Sequence, residues 1–309
     1  MSSPVDRTDA DADVDVDTGA DGPAPRSGIA AAVGYRRIAQ AKRLGLASAI
    51  GLVLFVVLAP ILWMFHTSLR PQDQIFVDGL SIVPETVSLV HYRTLLFETD
   101  FPTFYTNSIL VSLGVVVLTV VLSTLGGYGL ARLEFRFKRQ FARLVLFGYM
   151  FPAILLSIPM FIIWNEIGLT NNLVGLVLAE TALSLPFSLW LMWQFFQTVP
   201  DSLEESAQVA GATRFEAFKD VSIPLAKPGM IAVALFSYAV SWNEYTIPNV
   251  LMIDRSKWPL TLGIFTFSEG QRVFWGQIMA ASTMIVLPAF LFVIVLRKYL
   301  LEGFRTTSV

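Results

Sequence analysis

Six long apolar runs alternate with shorter polar segments along the chain. Four of them carry no charged residue, a shorter one after Pro228 continues through Glu244, and another is interrupted only by Glu180. A helix needs about 20 apolar residues to cross the hydrocarbon core of a bilayer. The pattern therefore predicts an all-α, polytopic membrane protein with six transmembrane helices, at about 44–66, 107–131, 144–165, 172–198, 228–252 and 273–296.

The composition supports this class of protein. Of 309 residues, 54% are hydrophobic and only 15% are charged, whereas soluble domains have about 25% charged residues. The chain has no cysteine, which excludes disulfides and thiolate chemistry, and its two histidines argue against a histidine-based metal site. It also has no G-x-x-x-x-G-K-[ST] sequence, the glycine-rich loop that cradles nucleotide phosphates.

The first 34 residues differ from the rest of the chain. They contain seven aspartates and two arginines, and they show no periodic apolar face. Such a composition predicts a disordered acidic tail at 1–34. Arg7 is the only base near the start of the chain, and no apolar stretch follows it, so the segment lacks the pattern of a signal peptide.

Lysine and arginine are distributed unevenly between the two sides that the six spans define. Outside the first 34 residues, fifteen bases fall on the side of the termini and five on the other, and such bases concentrate on the cytoplasmic side. Both termini and the segment between spans four and five are therefore predicted to be cytoplasmic. The five bases on the other side are Arg70, Arg93, Arg255, Lys257 and Arg272.

The segment "DSLEESAQVAGATRFEAFKDVSIPLAKPG", residues 201–229, is polar although apolar runs flank it on both sides. Asp201 and Ser202 are candidate N-caps, and acids in a first helical turn complement the helix dipole. A glycine inside a helical pattern usually marks a turn, so we expect two short helices joined near Gly211. The prolines are expected to end the second helix before the chain re-enters the membrane at Pro228.

Two interpretations of this segment stay open from its residues alone. A helix lying on lipid favours bases, whereas this segment carries five acids and three bases, which favours docking to a protein partner. Phe215 and Phe218 are the apolar side chains that would anchor such a partner. Alternatively, both phenylalanines pack against helices of this chain.

The same segment carries a resemblance to a known family. Glu205-Ser206-Ala207, Gly211 and Val221-Ser222-Ile223-Pro224 are similar to the E-A-A…G…I-x-L-P signature of the permease subunits of bacterial and archaeal ABC importers. Two positions depart from it: Ser206 replaces an alanine, and Ala210 stands where an aspartate commonly precedes the glycine.

Five further stretches extend the resemblance to about residues 40–304. They are "YTNSILVS" (105–112), "GYGLARLEF" (127–135), "SLPFSLWLMWQFFQTVP" (184–200), "SWNEY" (241–245) and "WGQIMAASTMIVLP" (275–288). Together they resemble the carbohydrate-uptake class, in particular its maltose-type six-helix subunit.

The resemblance implies a function and a set of partners. Residues 35–309 would form an ABC importer transmembrane domain that moves a sugar, a di- or oligosaccharide, across a prokaryotic cell membrane. The partners would be a second permease subunit, an ATP-binding cassette ATPase dimer and an extracytoplasmic sugar-binding protein. The chain itself would be no enzyme and bind no cofactor, since ATP and magnesium would be held by the ATPase.

Within this resemblance, the segment between helices four and five is a cytoplasmic coupling helix that docks on the ATPase. Its implied docking residues are Glu205, Ser206, Ala207, Ala210, Gly211, Ala212, Arg214, Phe215, Phe218 and Pro224.

Polar and aromatic residues within the spans are candidates for the substrate path. Ionisable groups inside a membrane are costly and by default mark a pathway. The candidates are Trp242, Asn243, Glu244, Tyr245 and Glu180. Alternatively, Glu244 lies in water at the end of its helix, and Glu180 forms a hydrogen bond across the helix bundle.

Two other function classes fit the sequence less well than the importer. A secondary transporter driven by an ion gradient is the alternative, and it predicts several coupled acids at the middle of the membrane, where only Glu180 and Glu244 qualify. An intramembrane enzyme lacks any paired Asp/Asp, His/Glu or Ser/Lys constellation in this sequence.

Overall fold

The computed structural model describes residues 27–76, 86–268 and 273–306. Every regular element in these ranges is helical. The helices are α1 (Ser27–Ser68), α2 (Val90–Phe97), α3 (Phe101–Arg132), α4 (Lys138–Gly148), α5 (Ala153–Glu166), α6 (Leu173–Gln197), α7 (Asp201–Val209), α8 (Arg214–Ala217), α9 (Ile223–Asn243), α10 (Thr246–Leu251), α11 (Leu260–Gly263) and α12 (Trp275–Thr306). By contacts between residues, the chain divides into two compact units, 1–59 and 60–309.

In the first unit, the described residues all belong to α1, which begins at Ser27. The prediction of a disordered tail to residue 34 was therefore wrong for 27–34, where a run of alanines favours helix. Residues 1–26 of that tail lie outside the described ranges. The apolar side chains of α1 between Leu44 and Leu58 are exposed, as on a surface that faces lipid.

Five helices in the described ranges are long and apolar enough to cross a membrane, and a bent pair forms a sixth if it counts as one span. That pair is α4 and α5, which meet at 96°. The span predicted at 144–165 falls on this pair. The break comes before Pro152, whose ring disfavours helical backbone in the residue that precedes it and which caps α5 with extended backbone.

The fifth predicted span, 228–252, also has different bounds. The helical path runs from Arg214 through a π-turn at Phe218–Ser222 and then along α9 to Asn243. The prolines do not end it: Pro224 stands at the start of α9, directly after the π-turn, and Pro228 lies inside α9. Membrane helices tolerate proline because neighbouring groups satisfy the freed backbone. The span ends instead at Glu244, whose backbone is extended.

The core of the second unit forms where α3 packs against α6 and α9, with α12 against α9. One close approach is at Gly127 of α3, where an added Cβ would lie 2.7 Å from Cβ of Met192 on α6. Small residues let membrane helices approach in this way. The same interface buries hydroxyls, among them Thr119 and Ser184, whose oxygens lie 2.9 Å apart.

Candidate functional site

The connecting segment, residues 201–222, follows α6 after the non-helical residues 198–200. Pro200 is the residue before α7, so the predicted caps Asp201 and Ser202 lie instead within the first turn of the helix. The acids of that turn are Asp201 and Glu204, where they complement the positive end of the helix dipole.

A turn was predicted near Gly211, and Gly211 directly follows the C-cap of α7. Its φ is +102°, a region that residues with a side chain rarely adopt. Its N–H donates to the carbonyl of Gln208, and the next N–H, of Ala212, donates to the carbonyl of Ala207, both at 3.0 Å. This pair of bonds is the Schellman termination, so the glycine turns the chain sharply between α7 and α8.

A capping box then starts the next helix. The carboxylate of Glu216 accepts hydrogen bonds from the backbone N–H and the hydroxyl of Thr213, at 2.7 and 2.8 Å, and the Thr213 hydroxyl accepts from the Glu216 N–H. The turn between the two short helices is therefore ordered by its own residues.

Glu204 fixes α7 to the membrane helices. Its side chain is buried, with 5% of the residue exposed. One carboxylate oxygen accepts from Nε of Arg132 at 2.7 Å and from the hydroxyl of Ser222, and the other accepts from the hydroxyl of Tyr128 at 2.9 Å. Burial alone would raise the pKa of Glu204, but the bonds from Ser222, Arg132 and Tyr128 outweigh it and hold the pKa below its ordinary value.

Arg132 links α3 to two other elements. Its guanidinium pairs with Asp201 at 2.6 Å as well as with Glu204. It also donates to the backbone carbonyls of Phe196, at 3.2 Å, and Val199, at 3.0 Å, where α6 ends. Arginine is suited to this role because its planar fork offers five donors in fixed directions. Sequence reasoning missed this cluster, although Arg132 lies in the quoted stretch "GYGLARLEF".

We expect the contribution of Glu204 to depend on pH. Because its folded pKa is depressed, the stability it contributes is present above its unfolded pKa, ordinarily 4.5, and is lost as the pH falls through the lower folded value. The difference in thermal unfolding midpoint between wild type and Glu204→Gln should therefore be large at neutral pH and shrink as the pH falls below that unfolded value. A difference that is constant with pH would contradict this assignment.

Glu134→Gln is the matched control. Glu134 pairs with Lys138 at 3.2 Å near the same end of α3, but its side chain is exposed. Exposed pairs contribute about 0–1 kcal/mol, so this variant should unfold close to wild type at each pH.

The predicted docking residues fall into an exposed and a buried set. Most are exposed or partly exposed, and Phe215 has 70% of its surface free. Phe218 is instead 7% exposed, and its ring centroid lies 4.4 Å from that of Tyr128. For Phe218, packing within the chain is therefore the interpretation that the structure supports. Those exposed or partly exposed are Glu205, Ser206, Ala207, Ala210, Gly211, Ala212, Arg214, Phe215 and Pro224.

The structure adds one residue to the exposed set. Val209, the last residue of α7, is 90% exposed. A β-branched apolar residue between small and polar neighbours was the signal in the sequence that could have found it.

The candidates for the substrate path lie in two different environments. Glu180 of α6 is 1% exposed and accepts a hydrogen bond from Ser241 of α9 at 2.5 Å, while Ser241 also lies 3.3 Å from the hydroxyl of Ser112 on α3. The alternative that we gave for Glu180, a bond across the bundle, is thus what the structure shows. One residue further along α9, Trp242 is buried and stacks on Tyr238.

The remaining residues of "SWNEY" lie where α9 ends. Asn243 is exposed and donates to the carbonyl of Ala239 in its own helix. Glu244 accepts from the N–H of Ile247 at 3.1 Å and borders a cavity of about 320 Å³ together with Tyr149 and Phe151. Tyr245 is partly exposed, with its ring edge-on to Phe265.

We expect Glu180 to contribute to stability through its bond to α9. Replacement of Glu180 by alanine removes the acceptor of Ser241, and such interhelical bonds are worth about 1–2 kcal/mol. Glu180→Gln keeps an acceptor oxygen and should cost less. Thermal unfolding in detergent measures the stability of both variants. Asn243 is exposed and donates to a carbonyl of its own helix, so Asn243→Ala is the control and should unfold close to wild type. Wild-type stability of Glu180→Ala would contradict the assignment.

A second polar cluster lies at the opposite end of the spans, and sequence reasoning did not find it. The side-chain oxygen of Asn171 accepts from the N–H groups of Ile253 and Asp254, and its amide donates to Asp254 at 2.6 Å. The bond from Asn171 is the main reason why the pKa of Asp254 is lowered. Nearby, Asn107 donates to the carbonyls of Ser256 and Trp258, both at 3.0 Å. These bonds hold the loop after α10 against α3 and the α5–α6 turn.

Comparison with known families and structures places the chain among transport proteins. The family described as "Binding-protein-dependent transport system inner membrane component" matches residues 123–306. The matched range begins near the end of α3 and includes the whole connecting segment. In the described ranges, no group of three or more histidine, cysteine or acidic residues is arranged to hold a metal ion.

Relatives of similar length are permeases. The trehalose transport system permease protein SugB of Mycobacterium tuberculosis is 33% identical over 260 residues, 84% of this chain and 94% of that protein. The diacetylchitobiose uptake system permease protein DasC of Streptomyces coelicolor is 32% identical over 261 residues, 83% and 94%. A chain of a solved bacterial ABC transporter that imports alginate superimposes with a TM-score of 0.73 at 24% identity, over 85% of this chain and 98% of that one, which shows a common fold.

Proposed function

The chain belongs to the family of binding-protein-dependent transport system inner membrane components, and from this premise we propose how it carries its substrate. It is a multi-pass membrane permease of an ATP-driven sugar importer, as its relatives indicate. The permease is not itself an enzyme, since hydrolysis of ATP occurs in a separate subunit. In our proposal, α7 is the coupling helix that docks on that subunit.

The observation that supports this role is the two-sided character of the connecting segment. Glu204 and Phe218 hold it against the membrane helices, while Glu205, Val209 and Phe215 are exposed on it. An exposed apolar side chain beside charged neighbours is typical of a protein docking surface. The segment also lies within the range that matches the family.

The partners follow from the mechanism of such an importer. We propose a second permease subunit that forms a heterodimer with this chain, an ATPase dimer that binds ATP and magnesium, and an external sugar-binding protein. This chain then binds no cofactor. ATP favours one conformation of the permease only through a difference in affinity between its two states, and α7 is the element through which that difference would act.

The proposed topology has six spans, with the bent pair α4–α5 as the third, and places both termini and the connecting segment in the cytoplasm. The distribution of lysine and arginine supports this orientation. The cluster around Asn171 and Asp254 would then face outward, toward the binding protein.

The proposed substrate is a di- or oligosaccharide, in keeping with the trehalose and diacetylchitobiose named for the relatives. Asn243, Glu244 and Tyr245 are the path candidates that are accessible in this conformation, at the end of α9. Trp242 and Glu180 are buried, so in our proposal they reach the path only after the spans move.

Uptake by the reconstituted transporter tests this function. The transporter would be purified from membranes through a tag on this chain, so that native partners stay bound, and reconstituted into proteoliposomes with its binding protein. Uptake of radiolabelled trehalose and diacetylchitobiose should require ATP and persist when ionophores collapse proton and sodium gradients. Uptake by this chain alone, driven by such a gradient, would favour the secondary transporter instead.

A further inference from the structure

α3 meets the connecting segment in space but does not adjoin it along the chain, because α4, α5 and α6 lie between them. The chain joins α7 directly to α6 on one side and, through α8 and the π-turn, to α9 on the other. Arg132 and Glu204, in contrast, are 72 residues apart in sequence. Between α3 and α7 the contacts are side-chain bonds, from Tyr128 and Arg132 to Glu204 and from Arg132 to Asp201.

These bonds determine the orientation of a helix that is too short to be rigid by itself. α7 has nine residues, and isolated helices shorter than about 12–15 residues are marginal in water. The non-helical residues 198–200 precede it, and the positive-φ turn at Gly211 follows it. Its angle to the spans therefore depends on what holds its buried side, and that side is held through Glu204.

The π-turn supplies the third contact. One extra residue in a helical turn rotates all later side chains by about 100°. The π-turn over Phe218–Ser222 ends at Ser222, whose hydroxyl donates to Glu204. π-Turns are frequent at functional sites, and this one brings the start of α9 to the same carboxylate that α3 binds.

We infer that Tyr128, Arg132, Glu204 and Ser222, together called the junction, are positioning residues that make α7 a rigid lever between the ATPase and helices α3, α6 and α9. This inference rests on the proposed function. Glu204, through which the junction holds α7, is buried, so the junction acts through the helix it holds. Charge-assisted bonds are about twice as strong as neutral ones, which suits a connection that bears force in each transport cycle.

A purely structural role predicts a different behaviour. If the junction only stabilises the fold, its weakening lowers the unfolding temperature, and the assembled transporter still carries the same amount of sugar for each ATP. If the junction transmits movement, the ATPase still binds and hydrolyses ATP, but less sugar is carried for each ATP. The ratio of sugar transported to ATP hydrolysed distinguishes the two.

The experiment uses the full reconstituted transporter with its binding protein and radiolabelled trehalose or diacetylchitobiose. Glu204→Gln keeps the shape of the side chain but removes the charge, and it should lower the sugar-to-ATP ratio by about fivefold or more while the ATPase remains bound. Tyr128→Phe and Ser222→Ala each remove one hydroxyl and should lower the ratio less. Glu134→Gln, which breaks an exposed ion pair between α3 and α4, should leave the ratio at the wild-type value.

Each outcome has a definite meaning. A wild-type ratio in assembled Glu204→Gln overturns the inference. If Glu204→Gln does not assemble, the two hydroxyl variants decide, and wild-type ratios in both overturn it. Absence of ATP-driven uptake in wild type overturns the proposed function itself, and the inference with it.

Discussion

Gly211→Arg is expected to separate the permease from its ATPase. The position has open space around it, with no heavy atom within 4 Å of an added Cβ, but its φ of +102° is one that residues with a side chain rarely adopt. The substitution would distort the turn between α7 and α8 and place a bulky cation on the exposed surface proposed to dock. Recovery of the ATPase in a pull-down through a tag on this chain should fall by about tenfold or more, and ATP-driven uptake should fall with it.

Gly168→Arg is a closely matched control for this experiment. Gly168 also has positive φ, +71°, and open space around it, but it lies in the turn between α5 and α6, at the opposite end of the spans from α7. It incurs a similar backbone strain away from the docking surface, so the ATPase should be recovered as with wild type. Equal loss of the ATPase in both variants would mean that strain, and not docking, is responsible. Full recovery with Gly211→Arg would contradict the coupling role of the segment.

Gly127→Val is expected to disrupt the packing of the membrane helices. A Cβ at this position would lie 2.7 Å from Cβ of Met192 and 2.9 Å from backbone atoms of Met192 and Trp193. Backbone cannot move aside as a side chain can, so α3 and α6 would have to separate. Overpacking of this kind typically costs about 1–3 kcal/mol and occasionally more. We expect a marked fall in the unfolding temperature and in the yield of folded protein, measured by thermal unfolding and size-exclusion chromatography in detergent.

Two neighbouring glycines provide graded controls on the same helix. At Gly126 an added Cβ would meet the end of the Leu189 side chain, which can rotate, and at Gly129 it would meet only Leu133, at 3.8 Å. Alanine should therefore be well tolerated at 129, less so at 126 and least at 127. An order in which Gly127→Ala is as stable as Gly129→Ala would contradict the close helix contact.

The connecting segment shows how far local sequence signals reach. The acids at its start and Gly211 at its turn predicted a short helix and a break, and α7 ends through the Schellman bonds that glycine permits. Such features depend on residues within one or two turns of each other, so they can be read from the sequence. The prolines misled because their effect depends on context: Pro228 stays inside α9, where packing decides whether the helix continues.

The distinction between Phe215 and Phe218 could not be made from the sequence. The two residues are three apart on one helical path, yet Phe215 is exposed and Phe218 packs on Tyr128. The outcome depends on where the end of α3 lies, which is set by side chains more than 80 residues away in the sequence.

By itself, the sequence determined the class of protein, the approximate position of the apolar runs and, through its motifs, the family. These follow from composition and local spacing, because a bilayer requires long apolar helices whatever their arrangement. Only the tertiary structure decided the bond from Ser241 to Glu180 and the meeting of Tyr128, Arg132 and Ser222 at Glu204. The physical reason is that a buried charged or polar side chain must find its partners in space, and in this chain those partners come from different helices.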